Sequence, residues 1–204
     1  MNINLSTLSQ GFENVGRDSQ VIFRQLMGSF ARPGLPVEIS PLVKPSPEFD
    51  VSVAGSLLLA LMETGTALYL PNEAQISIWA NYLKFHTACV LTPECQNAEF
   101  IWIQDGAHLP SLLSCALGSV EFPETSSTLI IDVNGIEINS ESMDAKVWTG
   151  PGIKEPIQID IQGISTAFWR ERKELRQMYP CGVDVIFCSS TQIVSLPRST
   201  RIGE

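Results

Sequence analysis

The apolar positions of this chain change period several times, and each change marks an element. Ile22, Leu26 and Phe30 recur at helical spacing, with Phe23 and Met27 beside them. They predict a helix capped by Asp18 or Ser19 and running to about Phe30. It stops at Ala31-Arg32-Pro33-Gly34, because proline disfavours helix in the residue before it. Residues 35–50 hold Pro36, Pro41, Pro45 and Pro47, which predicts an extended edge or a loop. Ser52 to Glu63 is a nearly all-apolar helix, buried on most sides, with Gly65 as its C-terminal cap. Ala67–Leu70 predicts a short strand closed by Pro71. Asn72 can cap the next helix, which carries Ile76, Trp79 and Leu83 on one face and ends near Phe85-His86-Thr87.

Shorter periods dominate the second half. Phe100–Ile103 predicts a strand, Pro110–Leu117 a short helix stopped by Gly118, and Thr128–Val133 a strand rich in β-branched residues. Val147–Ile153 reads as a strand entering a turn at Thr149-Gly150-Pro151-Gly152. Ile157, Ile159 and Ile161 alternate as a further strand. Ile164, Phe168, Leu175 and Met178 mark a helix ended by Pro180. Its other face carries Arg170, Arg172, Lys173 and Arg176, most simply the wet side of an amphipathic helix. Val183–Cys188 and Gln192–Pro197 form a hairpin about Ser189-Ser190. Helices and strands alternate, which argues for an α/β fold with a mixed β-sheet flanked by helices. Residues 1–17 read as a polar lead-in and 18–204 as a single domain.

Composition narrows the function. The 204 residues hold 13 basic and 22 acidic side chains, a net charge of −9, which argues against a wide nucleic-acid footprint. An anionic ligand would need a local cluster of arginines within an acidic body. The five cysteines (Cys89, Cys95, Cys115, Cys181, Cys188) are odd in number and form no CxxC, so they read as reduced, mostly buried thiols. With only His86 and His108, no metal site is expected. The N-terminus lacks signal-peptide character. The longest apolar stretch, around Gly55–Met62, is too short to span about 30 Å of hydrocarbon.

Candidate chemistry lies in isolated polar residues rather than a motif. Gly11 and Gly16 have phosphate-loop spacing, but Arg17-Asp18 replaces the required Lys-Ser/Thr. Arg32, at a helix end before Pro-Gly, could grip a phosphate with its guanidinium, and Arg24, between the apolar positions of that helix, is a candidate supporting residue. Glu63 opposes a helix dipole and so needs a partner. His86 and Thr87 close a helix. Gly150 and Gly152 would let backbone approach a ligand or simply make a tight turn. Asp184 sits in an otherwise apolar strand and needs hydrogen bonds or a cation. Arg198 and Thr200 follow the last predicted strand and could hold an anion. Each also has a purely structural reading, and no nucleophile is paired with a base.

The order of segments resembles a known family. Phe23-Arg24…Leu26-Met27…Arg32-Pro33-Gly34 is followed by Leu58-Leu59…Leu61-Met62-Glu63-Thr64 and Phe85-His86-Thr87. Then come Gly118…Pro123-Glu124…Thr128-Leu129-Ile130-Ile131, Thr149-Gly150-Pro151-Gly152-Ile153, Tyr179-Pro180-Cys181-Gly182-Val183-Asp184 and Pro197-Arg198-Ser199-Thr200. This series, from about residue 19 to 202, resembles the PhnH subunits of the bacterial carbon–phosphorus lyase system. The resemblance implies a cytoplasmic homodimer whose fold is similar to the large domain of pyridoxal-phosphate (PLP)-dependent transferases, without the cofactor. It implies a core complex with PhnG, PhnI and PhnJ. It further implies a requirement, with PhnG, PhnI and PhnL, for transferring the ribose triphosphate of ATP onto an alkylphosphonate. The chain would be an accessory subunit, not catalytic alone, with a phosphonate or nucleotide as a ligand and neither nucleic acid nor membrane as a partner. The alternative is a stand-alone acid–base enzyme for a phosphorylated small molecule, using Glu63, His86 and Asp184. A retained PLP enzyme is a weaker third reading, since no lysine sits in a recognisable Schiff-base context.

Overall fold

The computed structural model describes residues 8–71 and 73–203. Its centre is a seven-stranded sheet. The strands are β1 (Val37–Glu38), β2 (Ala67–Tyr69), β3 (Val90–Thr92), β4 (Phe100–Ile103), β5 (Thr128–Asp132), β9 (Asp184–Cys188) and β10 (Gln192–Leu196). Their order across the sheet is β1-β10-β9-β5-β4-β2-β3. Strands β3, β2, β4, β5 and β9 run parallel, while at one edge β10 runs antiparallel to β9 and β1 antiparallel to β10. The expected β9–β10 hairpin is present, pairing Ile193 with Cys188.

A second sheet lies beside the first. It is antiparallel, in the order β11-β7-β8-β6, with β6 (Gly135–Ile138), β7 (Lys146–Thr149), β8 (Ile157–Gln162) and β11 (Arg201–Gly203). The sequence pattern placed β7 and β8 but neither β6 nor β11, nor β3 in the main sheet. The fold is therefore mixed α/β, with a further antiparallel layer where helices alone were expected.

Strand alternation explains the layers. On one face of the main sheet Trp102, Ile130, Ile186 and Ile193 pack against Ile22, Leu26, Leu57, Leu58, Trp79 and Leu83. These belong to helices α1 (Val15–Ala31), α2 (Val53–Leu61) and α3 (Glu73–Thr87). On the other face Ile103, Leu129, Ile131, Phe187 and Val194 pack against Trp148, Ile159 and Ile161 of the second sheet. Phe168 and Leu175 of helix α4 (Thr166–Leu175) join that side. Successive side chains of a strand serve opposite cores.

Several expected boundaries shift. Helix α1 starts before Asp18. Asn14 is its cap, accepting from the Arg17 N–H at 3.1 Å, and Asp18 reaches back to the Asn14 N–H at 2.9 Å. Phe12 is buried in the helical core. A break between lead-in and domain at 17/18 therefore falls inside a helix. Residues 110–117 make only a 3-10 turn, Leu112–Ser114, instead of a helix. The expected α3 cap, Asn72, lies outside the described residues. Ser52 and Ser165 cap α2 and α4 through their hydroxyls.

Candidate functional site at the carboxyl end of the sheet

The parallel strands release their loops at one end, where α/β proteins commonly bind ligands. Two cavities open there. One of about 410 Å³ is lined by Gln104, Asp105 and Gly106 after β4, Asp132, Val133 and Asn134 at the end of β5, and Gly163 after β8. The other, of about 250 Å³, lies between Asp132-Val133, Cys188-Ser189-Ser190 after β9, and Val51-Ser52-Val53 at the start of α2. Asp132 and Val133 line both.

Asp132 is the chemically distinctive group. One of its oxygens accepts the indole N–H of Trp102 at 2.9 Å. Burial lifts its carboxyl to about 6, and the Trp102 hydrogen bond only partly opposes that shift. Cys188 is its partner in the strand register, and burial first, then the Asp132 charge, pushes that thiol well up. No cation stands among the described linings of either cavity. A carboxyl so placed changes protonation near neutrality and can give or take a proton, or accept hydroxyls and amines. The acidic lining is unsuited to a bare phosphate.

Asp132 was missing from the sequence-derived candidates. It closes β5 (Thr128–Asp132), and a lone acid after four β-formers reads as the polar exit of a strand. Its hydrogen-bond donor, Trp102, lies 30 residues earlier.

The opposite end of the sheet holds three of the expected residues. Asp184 begins β9, and Arg198 follows β10. The Arg198 backbone N–H donates to Asp184 Oδ1 at 2.7 Å, and its Nε and Nη2 donate to Oδ2 at 3.1 and 2.5 Å. Nη1 donates to the carbonyls of Pro123 at 2.6 Å and Pro180 at 3.5 Å, and Nη2 also donates to Ser126 at 2.5 Å. A guanidinium has five N–H groups. Here all five are engaged within the chain, so Arg198 fastens loops rather than offering a free grip for an anion. Thr200 is buried, and its hydroxyl has no partner. Its carbonyl and that of Pro197 accept from Arg172, at 3.4 and 2.7 Å. Arg172 therefore leaves the water-facing role expected of it. It is 2% exposed, and burial pulls its guanidinium down to about 10.

The remaining candidates are scattered. Arg32 is exposed and serves as the C-cap of α1, its backbone N–H reaching the Gly28 carbonyl at 3.2 Å. Arg24 is exposed on α1. Gly152, at φ +80°, lies so near the Ala31 carbonyl and the Pro33 ring that a Cβ would collide with both. Gly150, at φ +137°, lies against Ser199 and Thr200 backbone. The close approach expected of this turn is thus to the chain itself. His86 packs edge-on to Tyr82 and Phe85, and its Nε2 is 3.2 Å from the Ser9 carbonyl. The Thr87 hydroxyl donates to the Leu83 carbonyl at 2.8 Å. Glu63 is exposed, with its backbone N–H bound by Thr66 Oγ1 at 3.1 Å. His86 and Thr87 lead into β3, while Asp184 starts β9, four strand spacings away, about 19 Å at roughly 4.8 Å per spacing. Glu63, His86 and Asp184 are not assembled into an acid–base set.

Taken together, the parallel strands, three helices on one face, an antiparallel sheet with α4 on the other and a polar cleft at the carboxyl ends define a mixed α/β layer protein. More narrowly, the chain belongs to the PhnH family. The model for the bacterial phosphonate metabolism protein PhnH matches residues 10–203. Two curated relatives agree. The chain is 29% identical, over 185 residues, to the alpha-D-ribose 1-methylphosphonate 5-triphosphate synthase subunit PhnH of Rhizobium meliloti (strain 1021), covering 91% of this chain and 90% of that protein. It is 32% identical, over 184 residues, to the putative C-P lyase subunit protein HtxG of Stutzerimonas stutzeri, covering 90% and 85%.

Proposed function

We propose that this chain is an accessory subunit of the carbon–phosphorus lyase core complex. In this reading it is required with PhnG, PhnI and PhnL for moving the ribose triphosphate of ATP onto an alkylphosphonate. The observation that carries the reading is the near end-to-end match to two proteins that are each named as subunits. The geometry agrees with a helper role. The only carboxylate–guanidinium pair of the expected candidates is saturated internally. The expected acid–base trio is dispersed across the sheet.

The finer features belong to the same proposal: a cytoplasmic homodimer that joins PhnG, PhnI and PhnJ, with a fold related to the PLP-dependent transferases but using no PLP. No described helix is long and apolar enough to cross a membrane. Neither carboxyl-end cavity has a lysine in its described lining to form a Schiff base. An absorbance scan after incubation with PLP is expected to show no Schiff-base band.

The decisive experiment is native mass spectrometry of the chain alone and co-expressed with PhnG, PhnI and PhnJ of the same source. A dimer alone that enters one larger assembly is the expected result. A chain that stays outside the assembly overturns the subunit reading.

A further inference from the structure

Two of the five free thiols are neighbours, although 20 positions separate them. Cys95 opens a 3-10 turn before β4, and Cys115 follows the 3-10 turn Leu112–Ser114. The Cys95 thiol donates to the Ser114 carbonyl at 3.2 Å and lies 3.3 Å from the Ser114 hydroxyl. The Cys115 thiol lies 3.7 Å from the Ser111 carbonyl of the same turn. Both sulfurs thus sit on one turn, Cys95 against the Ser114 that directly precedes Cys115, and Cys115 against Ser111.

The surrounding structure holds the pair in place. Ser127 is fully buried. Its hydroxyl donates to the Ala98 carbonyl at 2.6 Å and accepts the Ala116 N–H at 3.2 Å. One side chain thereby stitches the segment after Cys95 to the residue after Cys115. Glu171 of α4 fixes the other end of the turn, accepting from the Leu112 N–H at 2.7 Å and the Ser111 hydroxyl at 3.0 Å. Cys95 is half-buried and reachable by a small oxidant, whereas Cys115 is 5% exposed.

We propose that Cys95 and Cys115 form a redox-active thiol pair that a peroxide-class oxidant converts to an intramolecular disulfide. The Cys95 thiolate, as the more accessible sulfur, attacks a peroxide oxygen. The O–O bond breaks, Cys95 becomes a sulfenic acid and one water leaves. The Cys115 sulfur then attacks the Cys95 sulfur. The S–O bond breaks, and the hydroxyl departs as a second water with the Cys115 proton. Two thiols lose two electrons and two protons, and the peroxide is reduced to two waters. Burial pushes the Cys115 thiol up to about 12, which keeps it a thiol until the sulfenic acid forms and assigns it the resolving role. A thiol reductant reverses the link.

The test uses the full purified chain and hydrogen peroxide. Intact mass is expected to fall by two hydrogens, peptide mapping to place the link at Cys95–Cys115, and dithiothreitol to restore the starting mass. Cys181→Ser is expected to keep the link. Cys95→Ser removes the half-exposed thiol without opening the core, and is expected to lose the link and consume peroxide about tenfold more slowly. Addition of oxygen without a link, a link to any other cysteine, or an unchanged mass overturns the proposal. Cys95→Ser reacting as fast as the parent overturns the assigned order of attack.

Discussion

Two aspartates on neighbouring strands meet opposite fates. Asp184 stands at the amino end of the sheet and Asp132 at the carboxyl end, on paired strands β9 and β5. Asp184 is filled by Arg198, with both oxygens bonded and side chains 17% and 21% exposed in the pair. Its charge is compensated, so it acts as architecture. Asp132 accepts from the Trp102 N–H and has no cation in the described linings of the cavities beside it. Its charge is costly at neutral pH, and that cost is what makes it chemically available. A carboxylate matters for function less by its presence in a strand than by what the fold leaves unpaired around it.

The largest expected effect breaks the amino end. Arg198→Ala leaves Asp184 without its cation and frees two carbonyls and Ser126, and should lower stability by about 3 kcal/mol or more. Urea unfolding measures this, and a change under about 1 kcal/mol would make the knot ornamental. Next, Trp102→Phe removes the donor from Asp132 and should cost about 1–3 kcal/mol. It should also move the Asp132 titration further upward, because the hydrogen bond is the influence holding it down. Carboxyl-carbon NMR would show whether it does.

A third test follows from the Asp132 titration itself. Its folded-state value of about 6 exceeds the ordinary 3.8, so between these values the folded chain holds a proton the unfolded chain has lost. Stability from this group is full below about pH 4 and falls as pH rises towards 6. The slope is at most about 1.4 kcal/mol per pH unit, and it flattens above that range. Asp132→Asn should remove this component, so the variant should gain on the parent between pH 4.5 and 7. An unchanged difference at the two pH values would show that Asp132 does not titrate there. The smallest effect belongs to Thr200→Val, which replaces an unpartnered hydroxyl by a methyl and should stay within about 0.5 kcal/mol or stabilise. A marked loss would reveal a partner for that hydroxyl.

The contrast also explains what the amino-acid pattern disclosed. Short apolar runs located β4, β5, β9 and β10, and the alternation of Ile157, Ile159 and Ile161 located β8, because each is apolar on at least one buried face. Asp184 was singled out because a carboxylate in an apolar strand demands a partner, and Arg198 as a candidate anion contact; the anion it holds is Asp184. Strands β3, β6 and β11 were invisible. Val90 and Leu91 are exposed at an edge, Gly135–Ile138 is only half covered, and Arg201–Gly203 is a strand through its pairing with β7. Asp132 escaped because nothing local distinguishes an acid that meets water from one that is buried and bonded to an indole. Arg172 escaped for the converse reason. Its helix face looked wet until the carbonyls of Pro197 and Thr200 closed over it.

The seat of α1 has a consequence for how the chain acquires its shape. Ser29 of that helix accepts the backbone N–H of Ser195 in β10 at 2.9 Å, across 166 positions of chain. During synthesis α1 emerges long before the strand it rests on. The helical core therefore cannot seal until β10 has been made. Such distant contacts slow folding, and the apolar stripe of α1 must wait uncovered until the ribosome has delivered β10.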